Sequence, residues 1–261
     1  MNTHAVGVDW SSGAWVAVAY ADEEDAPDVA VFDTIREIWD AYGDAASRVV
    51  VDVPIGLCES LDAEACSCTE RDGELSRRCD DVARTVLGPR SASVFTPPAR
   101  AAAKLAAEGR KYAEVNAANR DRTGKGLMRQ SANIAPAIVE VERLLLGAGD
   151  PAVLLEGHPE VCFRAFAGAP LQHSKKTAPG VDERLSALEG VEGYDAGVWR
   201  GLAAELRDED RRVQLDDLLD ALALALTARA PTDQFRRLPP EPPTDAEGLP
   251  MQMVYRAERP L

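Results

Sequence analysis

Three acidic residues each follow directly on a short apolar stretch of the chain. Asp9 follows Ala-Val-Gly-Val, Asp52 follows Arg-Val-Val-Val and Glu156 follows Ala-Val-Leu-Leu. If these stretches are strands of one sheet, their carboxyl ends line the crevice in which α/β sheets bind ligands. Carboxylates gathered there repel one another unless a cation binds, and hard oxygen ligands suit Mg²⁺ or Mn²⁺. The pattern predicts a divalent-metal site, although a single strand-end acid is also a common turn former.

A predicted helix supplies further acids. Asp216, Asp217 and Asp220 lie at its start, and Asp217 and Asp220 share one face because they are three residues apart. Asp216 or Asp217 could simply favour the positive end of the helix dipole. Asp220 lies among leucines and alanines, where an acid is costly without a partner. The predicted metal ligands are Asp9, Asp52, Asp217 and Asp220, and the predicted catalytic residues are these four and Glu156.

The chemistry that these acids predict is phosphodiester hydrolysis. Two divalent ions about 4 Å apart can hold the attacking and the leaving oxygen of a phosphodiester. In this hypothesis Asp9 bridges both ions, Asp52 holds one and the helix acids hold the other. Glu156 is then a reserve ligand or orients water.

The basic residues are unevenly distributed. The chain has a net charge of −15, yet residues 84–129 carry a net charge of +7. This segment is either a solvated helical face or an anion-binding arm beside an acidic core. The polar loop at 173–176 suits phosphate contacts, against the alternative of a plain exposed loop. The predicted substrate-binding residues are Lys175, Lys176, Arg129, Lys125 and His158.

Composition restricts the class of protein. Hydrophobic residues make up 46% of the 261 residues, which excludes a disordered chain. Only five of the 29 basic residues are lysine, and an acid-rich, lysine-poor chain favours a halophilic organism, in which net charge keeps proteins soluble. Overall charge therefore does not exclude a nucleic-acid partner. Neither a membrane-length apolar run nor a signal-peptide pattern is present, so we expect a cytoplasmic protein with no membrane partner.

Four cysteines, Cys58, Cys66, Cys68 and Cys79, fall within 22 residues and could together hold a structural Zn²⁺. Their spacing is not the usual paired C-x₂-C, so free thiols or a disulfide are favoured. No G-x-S-x-G nucleophile elbow, P-loop or glycine-rich dinucleotide motif occurs.

The apolar pattern also predicts the elements that position these residues. Strands are expected at 5–9, 14–20, 29–32, 48–53, 151–156 and 251–256, and helices at 35–43, 160–167, 182–188, 199–206 and 216–229. Thr34 and Glu37 form a capping-box pattern, and residues 58–148 are predicted as a mostly helical insertion. Three antiparallel strands followed by a parallel unit are the layout of the ribonuclease H-like fold. We expect an α/β chain with this mixed sheet, flanking helices and a single domain over residues 1–261.

The predicted C-terminal helix resembles the terminal helix of RuvC-type Holliday-junction resolvases. The stretch Asp217-Leu-Leu-Asp220-Ala-Leu-Ala resembles one in which two acids of those enzymes bind catalytic metals. Val6-Gly-Val-Asp9 resembles their first strand with its catalytic aspartate. This chain has Asp52 where that group has a strand-end glutamate.

A closer resemblance covers nearly the whole chain. It is to the domain-of-unknown-function 429 family, whose members are described as predicted nucleases of the ribonuclease H fold. The matching segments are 7–9 with 13–15, 51–57, 78–80 with 87–90, 93–95, 124–127 with Gln130, 158–163, 173–177, 216–221 and 248–251. The chain departs from the family pattern at residues 58–71, where three of the cysteines lie.

The resemblance implies a metal-dependent hydrolase of the nuclease type, acting with Mg²⁺ or Mn²⁺ on nucleic acid. Two alternatives stay open: a non-catalytic module that binds nucleic acid or another anion, and a relative of ATP-dependent phosphotransferases. The second needs two such domains and glycine-rich phosphate loops, which 261 residues do not provide.

Overall fold

The computed structural model describes residues 4–11, 13–21, 26–61, 67–206 and 213–261. Its strands are β1 (His4–Ser11), β2 (Ala14–Tyr20), β3 (Asp28–Phe32), β4 (Ala46–Val51), β5 (Thr69–Arg71), β6 (Glu74–Ser76), β7 (Leu154–Glu156), β8 (Phe235–Leu238) and β9 (Met253–Arg256). Five of them form one mixed sheet in the order β3-β2-β1-β4-β7. Strand β2 runs antiparallel to β1 and β3, whereas β1, β4 and β7 are parallel. This is the strand order of the ribonuclease H-like fold, and it confirms the predicted fold class.

Helices cover both faces of this sheet. They are α1 (Ile35–Ile38), α2 (Arg78–Leu87), α3 (Arg100–Ala107), α4 (Tyr112–Thr123), α5 (Arg129–Leu145), α6 (Pro159–Ala167), α7 (Ala178–Glu189), α8 (Val198–Glu205) and α9 (Leu215–Ala228). Helix α1 continues as a π-helical turn over Trp39–Gly43, and the predicted capping box of Thr34 and Glu37 is present. Within the described residues, no helix is both long and apolar enough to cross a membrane.

The alternation of side chains along the central strands divides the core in two. Val8 and Val51 face the side covered by α5, where they pack with Ile138. Val50 and Leu155 face the other side and pack against the leucines and alanines of α9. Because both faces are covered, the strands are apolar almost without interruption.

Two glycines let α9 lie directly on the sheet. A Cβ atom at Gly7 would lie 2.0 Å from the backbone nitrogen of Ala225 and 2.1 Å from the carbonyl oxygen of Ala221. A Cβ atom at Gly157 would lie 2.4 Å from Val50 and 2.6 Å from Leu224. Since real Cβ atoms never approach so closely, the absence of a side chain at Gly7 permits the close packing of α9 on β1.

The segment at 58–148 differs in part from its prediction. It contains α2 to α5, as expected, but also the hairpin of β5 and β6, which was not predicted. Asp72 and Gly73 form its turn with positive φ angles of 54° and 77°, and an Asp-Gly pair between two strands is a strong hairpin signal. Strand β8 was also not predicted; it pairs with β9 in a second hairpin.

Candidate metal centre

The sheet register brings Asp9 and Asp52 together. Strands β1 and β4 pair in parallel with Val8 opposite Val51, and the backbone N–H of Asp52 donates to the carbonyl oxygen of Val8 at 2.9 Å. Asp9 and Asp52 follow this pair directly, so their side chains leave the sheet on the same face. That face is the one covered by α9.

Helix α9 adds Asp220 to this pair. One carboxylate oxygen from each of Asp9, Asp52 and Asp220 lies within 4.8 Å of the other two. Asp9 is 5% exposed and Asp220 is 2% exposed, whereas Asp52 is partly exposed. The group is therefore open to solvent on the side of Asp52.

All three carboxyl groups are held in a site that disfavours their ionised forms. Burial, followed by the charges of Asp52 and Asp220, raises the pKa of Asp9 well above its ordinary value. Burial also raises the pKa of Asp52, and it raises the pKa of Asp220 to about 7 although Lys175 acts against it. A divalent cation would relieve this repulsion, and three carboxylates are the hard oxygen donors that Mg²⁺ and Mn²⁺ take. The residues present therefore fit such an ion.

Lys175 is a cation already bound to this group. Its Nζ donates to Oδ2 of Asp220 and lies 3.6 Å from Oδ2 of Asp216. Burial lowers the pKa of Lys175, but the charges of Asp220, Asp9 and Asp52 outweigh burial and raise it above its ordinary value. Lys176 is 69% exposed and binds Asp216, with Nζ and Oδ2 2.5 Å apart. Both lysines, predicted as substrate contacts, thus pair with acids of α9.

Asp217, the other predicted ligand on α9, is engaged in capping the helix. Its Oδ2 accepts from the hydroxyl of Ser11 at 2.6 Å and from the backbone N–H of Gln214 at 2.8 Å. Its charge contributes to raising the pKa of Asp9, so it lies at the edge of the group. It does not belong to the three carboxylates that converge.

Glu156 lies on the opposite face of the sheet. Strand β7 pairs with β4 so that Glu156 is level with Val51 rather than with Asp52, and a shift of one residue reverses the side-chain direction. Its carboxylate accepts from the N–H of Ile55 at 2.7 Å and from both terminal nitrogens of Arg77 at 2.7 and 2.8 Å. The expectation that three strand-end acids meet therefore applies to only two of them.

Glu160 is a residue of this region that the sequence analysis missed. It is 5% exposed, and its Oε1 accepts from Arg184, but its buried Oε2 has no hydrogen-bond partner in the described part of the chain. Its charge contributes to raising the pKa values of Asp52 and Asp220. The sequence feature that could have identified Glu160 is its position in the first turn of α6, immediately after β7.

His158 is the predicted substrate-binding residue that lies beside Asp52. Its Nε2 is 3.4 Å from the carbonyl oxygen of Ser93, and its buried Nδ1 has no partner among the described residues. The charge of His158 lowers the pKa of Asp52, against the larger effect of burial. Its ring is thus close enough to act on whatever binds at Asp52.

Arg129 and Lys125 have other partners. The guanidinium of Arg129 stacks 4.4 Å from the centre of the Tyr112 ring, and Lys125 Nζ lies 3.1 Å from Glu74. Several other basic residues of 84–129 also pair with acids, namely Arg84, Arg90, Arg100, Arg110 and Arg122. Part of the positive charge of this segment is therefore neutralised within the chain.

Two of the cysteines form a disulfide, which is one of the alternatives that the sequence left open. Cys58 and Cys68 form a disulfide, so two of the four possible zinc ligands are bonded to each other. Cys79 is a buried free thiol, and burial raises its pKa well above the ordinary value. Cys66 lies outside the described residues.

One comparison with known proteins gives a match. A family model described as "Protein of unknown function (DUF429)" matches residues 7–244, which include Asp9, Asp52, Lys175 and Asp220. No curated protein and no solved structure matches the chain significantly.

Proposed function

The chain belongs to the DUF429 family, whose description assigns no activity, and from that premise we propose that it is a divalent-metal-dependent nuclease that hydrolyses phosphodiester bonds in nucleic acid. The observation that carries this proposal is the convergence of Asp9, Asp52 and Asp220, with ligand oxygens within 4.8 Å of one another. Asp9 and Asp52 lie towards the carboxyl ends of parallel strands, where α/β sheets bind ligands, and Asp220 is added by helix α9.

The residues of the chain have distinct roles in this proposal. A bound Mg²⁺ or Mn²⁺ supplies the positive charge that stabilises the transition state of phosphodiester hydrolysis. Asp9 and Asp52 hold the ion, and the partial exposure of Asp52 leaves a side from which a phosphate can approach. His158, whose charge acts on Asp52, contacts a phosphate oxygen or orients the attacking water. Lys176 extends into solvent and contacts the nucleic-acid backbone.

The proposed setting is the cytoplasm of a halophilic organism, which accounts for a net charge of −15 with only five lysines. High salt weakens phosphate binding by Lys and Arg, because little free energy is then gained from counterion release. Recognition in such a cell depends more on the metal and on short-range contacts than on overall charge.

The test is a cleavage assay in high KCl with end-labelled single- and double-stranded RNA and DNA. Wild-type protein is expected to cleave at least one substrate with Mg²⁺ or Mn²⁺ and to stop on adding EDTA. Asp9→Asn should lose at least about 100-fold, the scale of removing one electrostatic contact to a transition state. Asp40→Asn, an exposed aspartate paired with Arg36, is the matched control and should cleave normally.

Two results would contradict the proposal. Full activity of Asp9→Asn would exclude a catalytic role for this group of carboxylates. Metal binding with no cleavage of any substrate would instead support the non-catalytic binding module.

A further inference from the structure

The three carboxylates at the metal centre are not equivalent, because only one of them is bound by a cation of the chain. Asp9 and Asp52 directly follow the paired residues Val8 and Val51 of β1 and β4, and their side chains lie on the same face of the sheet. Asp220 is instead bound by Lys175. In the described part of the chain, Lys175 forms no ion pair with Asp9 or Asp52. Asp9 and Asp52 are therefore available to a metal ion, whereas the Asp220 side already holds a cation.

The backbone holds Lys175 in this position. Thr177 caps α7, and both its backbone N–H and its hydroxyl donate to the carbonyl oxygen of Ser174, at 2.9 and 2.8 Å. A Cβ atom at Gly180 would lie only 1.9 Å from the same oxygen, so the chain before Lys175 packs directly on the first turn of α7. The lysine therefore starts from a fixed backbone, and its side chain is only 31% exposed.

Both the balance of charge and the number of available ligands argue against a second metal ion next to Asp220. One divalent ion and one ammonium group carry three positive charges, which balance the three converging carboxylates. A second divalent ion would either lie next to the ammonium group, where like charges repel strongly, or displace it from Asp220. Asp217, the further ligand that such an ion would need, already accepts from Ser11 and Gln214.

We propose that Lys175 takes the place of a second metal ion, so that the centre binds a single divalent ion between Asp9 and Asp52. This inference rests on the proposed function, which it deepens by fixing the number of ions. Lys175 is then a positioning residue that holds Asp220 and supplies the second positive charge beside the scissile phosphate.

The test measures how many metal ions the wild type and its variants bind. Mn²⁺ is titrated by calorimetry, and the bound ions are examined by electron paramagnetic resonance, in which two neighbouring Mn²⁺ ions give an exchange-coupled signal. Wild type is expected to bind one ion with no coupled signal. Lys175→Met frees Asp220 and should bind two ions with a coupled signal. Lys175→Arg, which keeps the charge, and Lys176→Met, the neighbouring lysine on Asp216, should both bind one.

Each other outcome overturns the inference. If the wild type binds two ions, Lys175 does not take the place of a metal ion. If Lys175→Met binds only one ion, Lys175 does not exclude a second ion. If Lys175→Met fails to fold, Asp220→Asn decides: it should still bind one ion, and complete loss of binding would make Asp220 a ligand of the only ion. Wild-type protein that binds two ions and cleaves nucleic acid would contradict this inference alone. Absence of cleavage would contradict the proposed function. Absence of any bound ion in the wild type would contradict both.

Discussion

Two groups of acids lie at the ends of neighbouring strands, on opposite faces of one sheet. On one face, Asp80 and Glu156 surround Arg77, whose side chain is fully buried and donates to both carboxylates and to two backbone carbonyls. On the other face, three carboxylates converge beside one partly exposed lysine, which is bound to Asp220. In the first group the one cation binds both acids, whereas in the second the lysine binds only Asp220 of the three converging carboxylates.

This difference separates structural from functional acids. A buried charge is tolerated when a fixed partner satisfies its hydrogen bonds, as Arg77 does for Glu156. Carboxylates that converge in a buried site and whose pKa values are raised there, chiefly by burial, are typical of sites that bind a cation or transfer a proton. The clustering of acidic residues does not by itself distinguish structural from functional acids. The way in which each cluster is bound to its cation does distinguish them.

The largest expected effect comes from removing the cation of the first group. Arg77→Met leaves Asp80 and Glu156 buried without their cationic partner and should lower the free energy of unfolding by about 3–5 kcal/mol. Lys175→Met should cost less, because Lys175 is 31% exposed and Asp220, whose pKa is about 7, can take up a proton when the lysine is removed. Urea denaturation of the metal-free proteins measures both, and equal losses would contradict the distinction between the two groups.

One Asp→Asn substitution in each group should change the stability of the metal-free protein in opposite directions. Asp9→Asn removes one of three repelling carboxyls and should stabilise the metal-free protein, on the order of 1 kcal/mol. Asp80→Asn removes an acceptor that binds Arg77 at 2.6 and 3.2 Å and should destabilise it by about 1–3 kcal/mol. Added Mn²⁺ should raise the melting temperature of Asp80→Asn but not that of Asp9→Asn. A loss of stability in both metal-free variants would contradict the argument.

The sequence predicted the half of the site that depends on local pattern. Asp9 and Asp52 are recognisable because each ends an apolar strand, and Asp220 because it is an acid on the buried face of a leucine-rich helix. Glu156 could not be assigned to its face, since that depends on how β7 pairs with β4, and one residue of register reverses it. The pairing of Lys175 with Asp220 joins a loop to a helix 45 residues away, which no local pattern predicts.

The fold shows the same division between local and long-range information. The strands of the main sheet and helix α9 have strong periodicity and were predicted. The hairpin of β5 and β6 was missed because each strand has only three residues, although Asp72-Gly73 is a usable turn signal. Strand β8 is defined by its pairing with β9, which follows it after a connection of 14 residues.

The last expected effect is the pH dependence of stability, and it also separates the two groups. The pKa of Asp220 is about 7 in the folded chain, above the value of about 3.9 for an unfolded aspartate. Between these values the folded state binds more protons than the unfolded state, so this contribution to stability is complete below pH 4 and is lost as pH rises through 7. From pH 6 to pH 8 the loss due to Asp220 should be about 1.4 kcal/mol, the value of one pKa unit.

Glu156, with a pKa also raised to about 7 by burial, gives a loss of the same sign in the other group. Saturating Mn²⁺ distinguishes the two, because the ion binds only the deprotonated form of the metal centre and leaves Glu156 with Arg77 unchanged. Thermal melts of the wild type from pH 6 to pH 8 should therefore show a shallower decline with Mn²⁺ than without it. Asp220→Asn should show a shallower decline without metal. An unchanged decline in that variant would mean that Asp220 is already ionised at pH 6, because Lys175 fully offsets the effect of burial on its pKa.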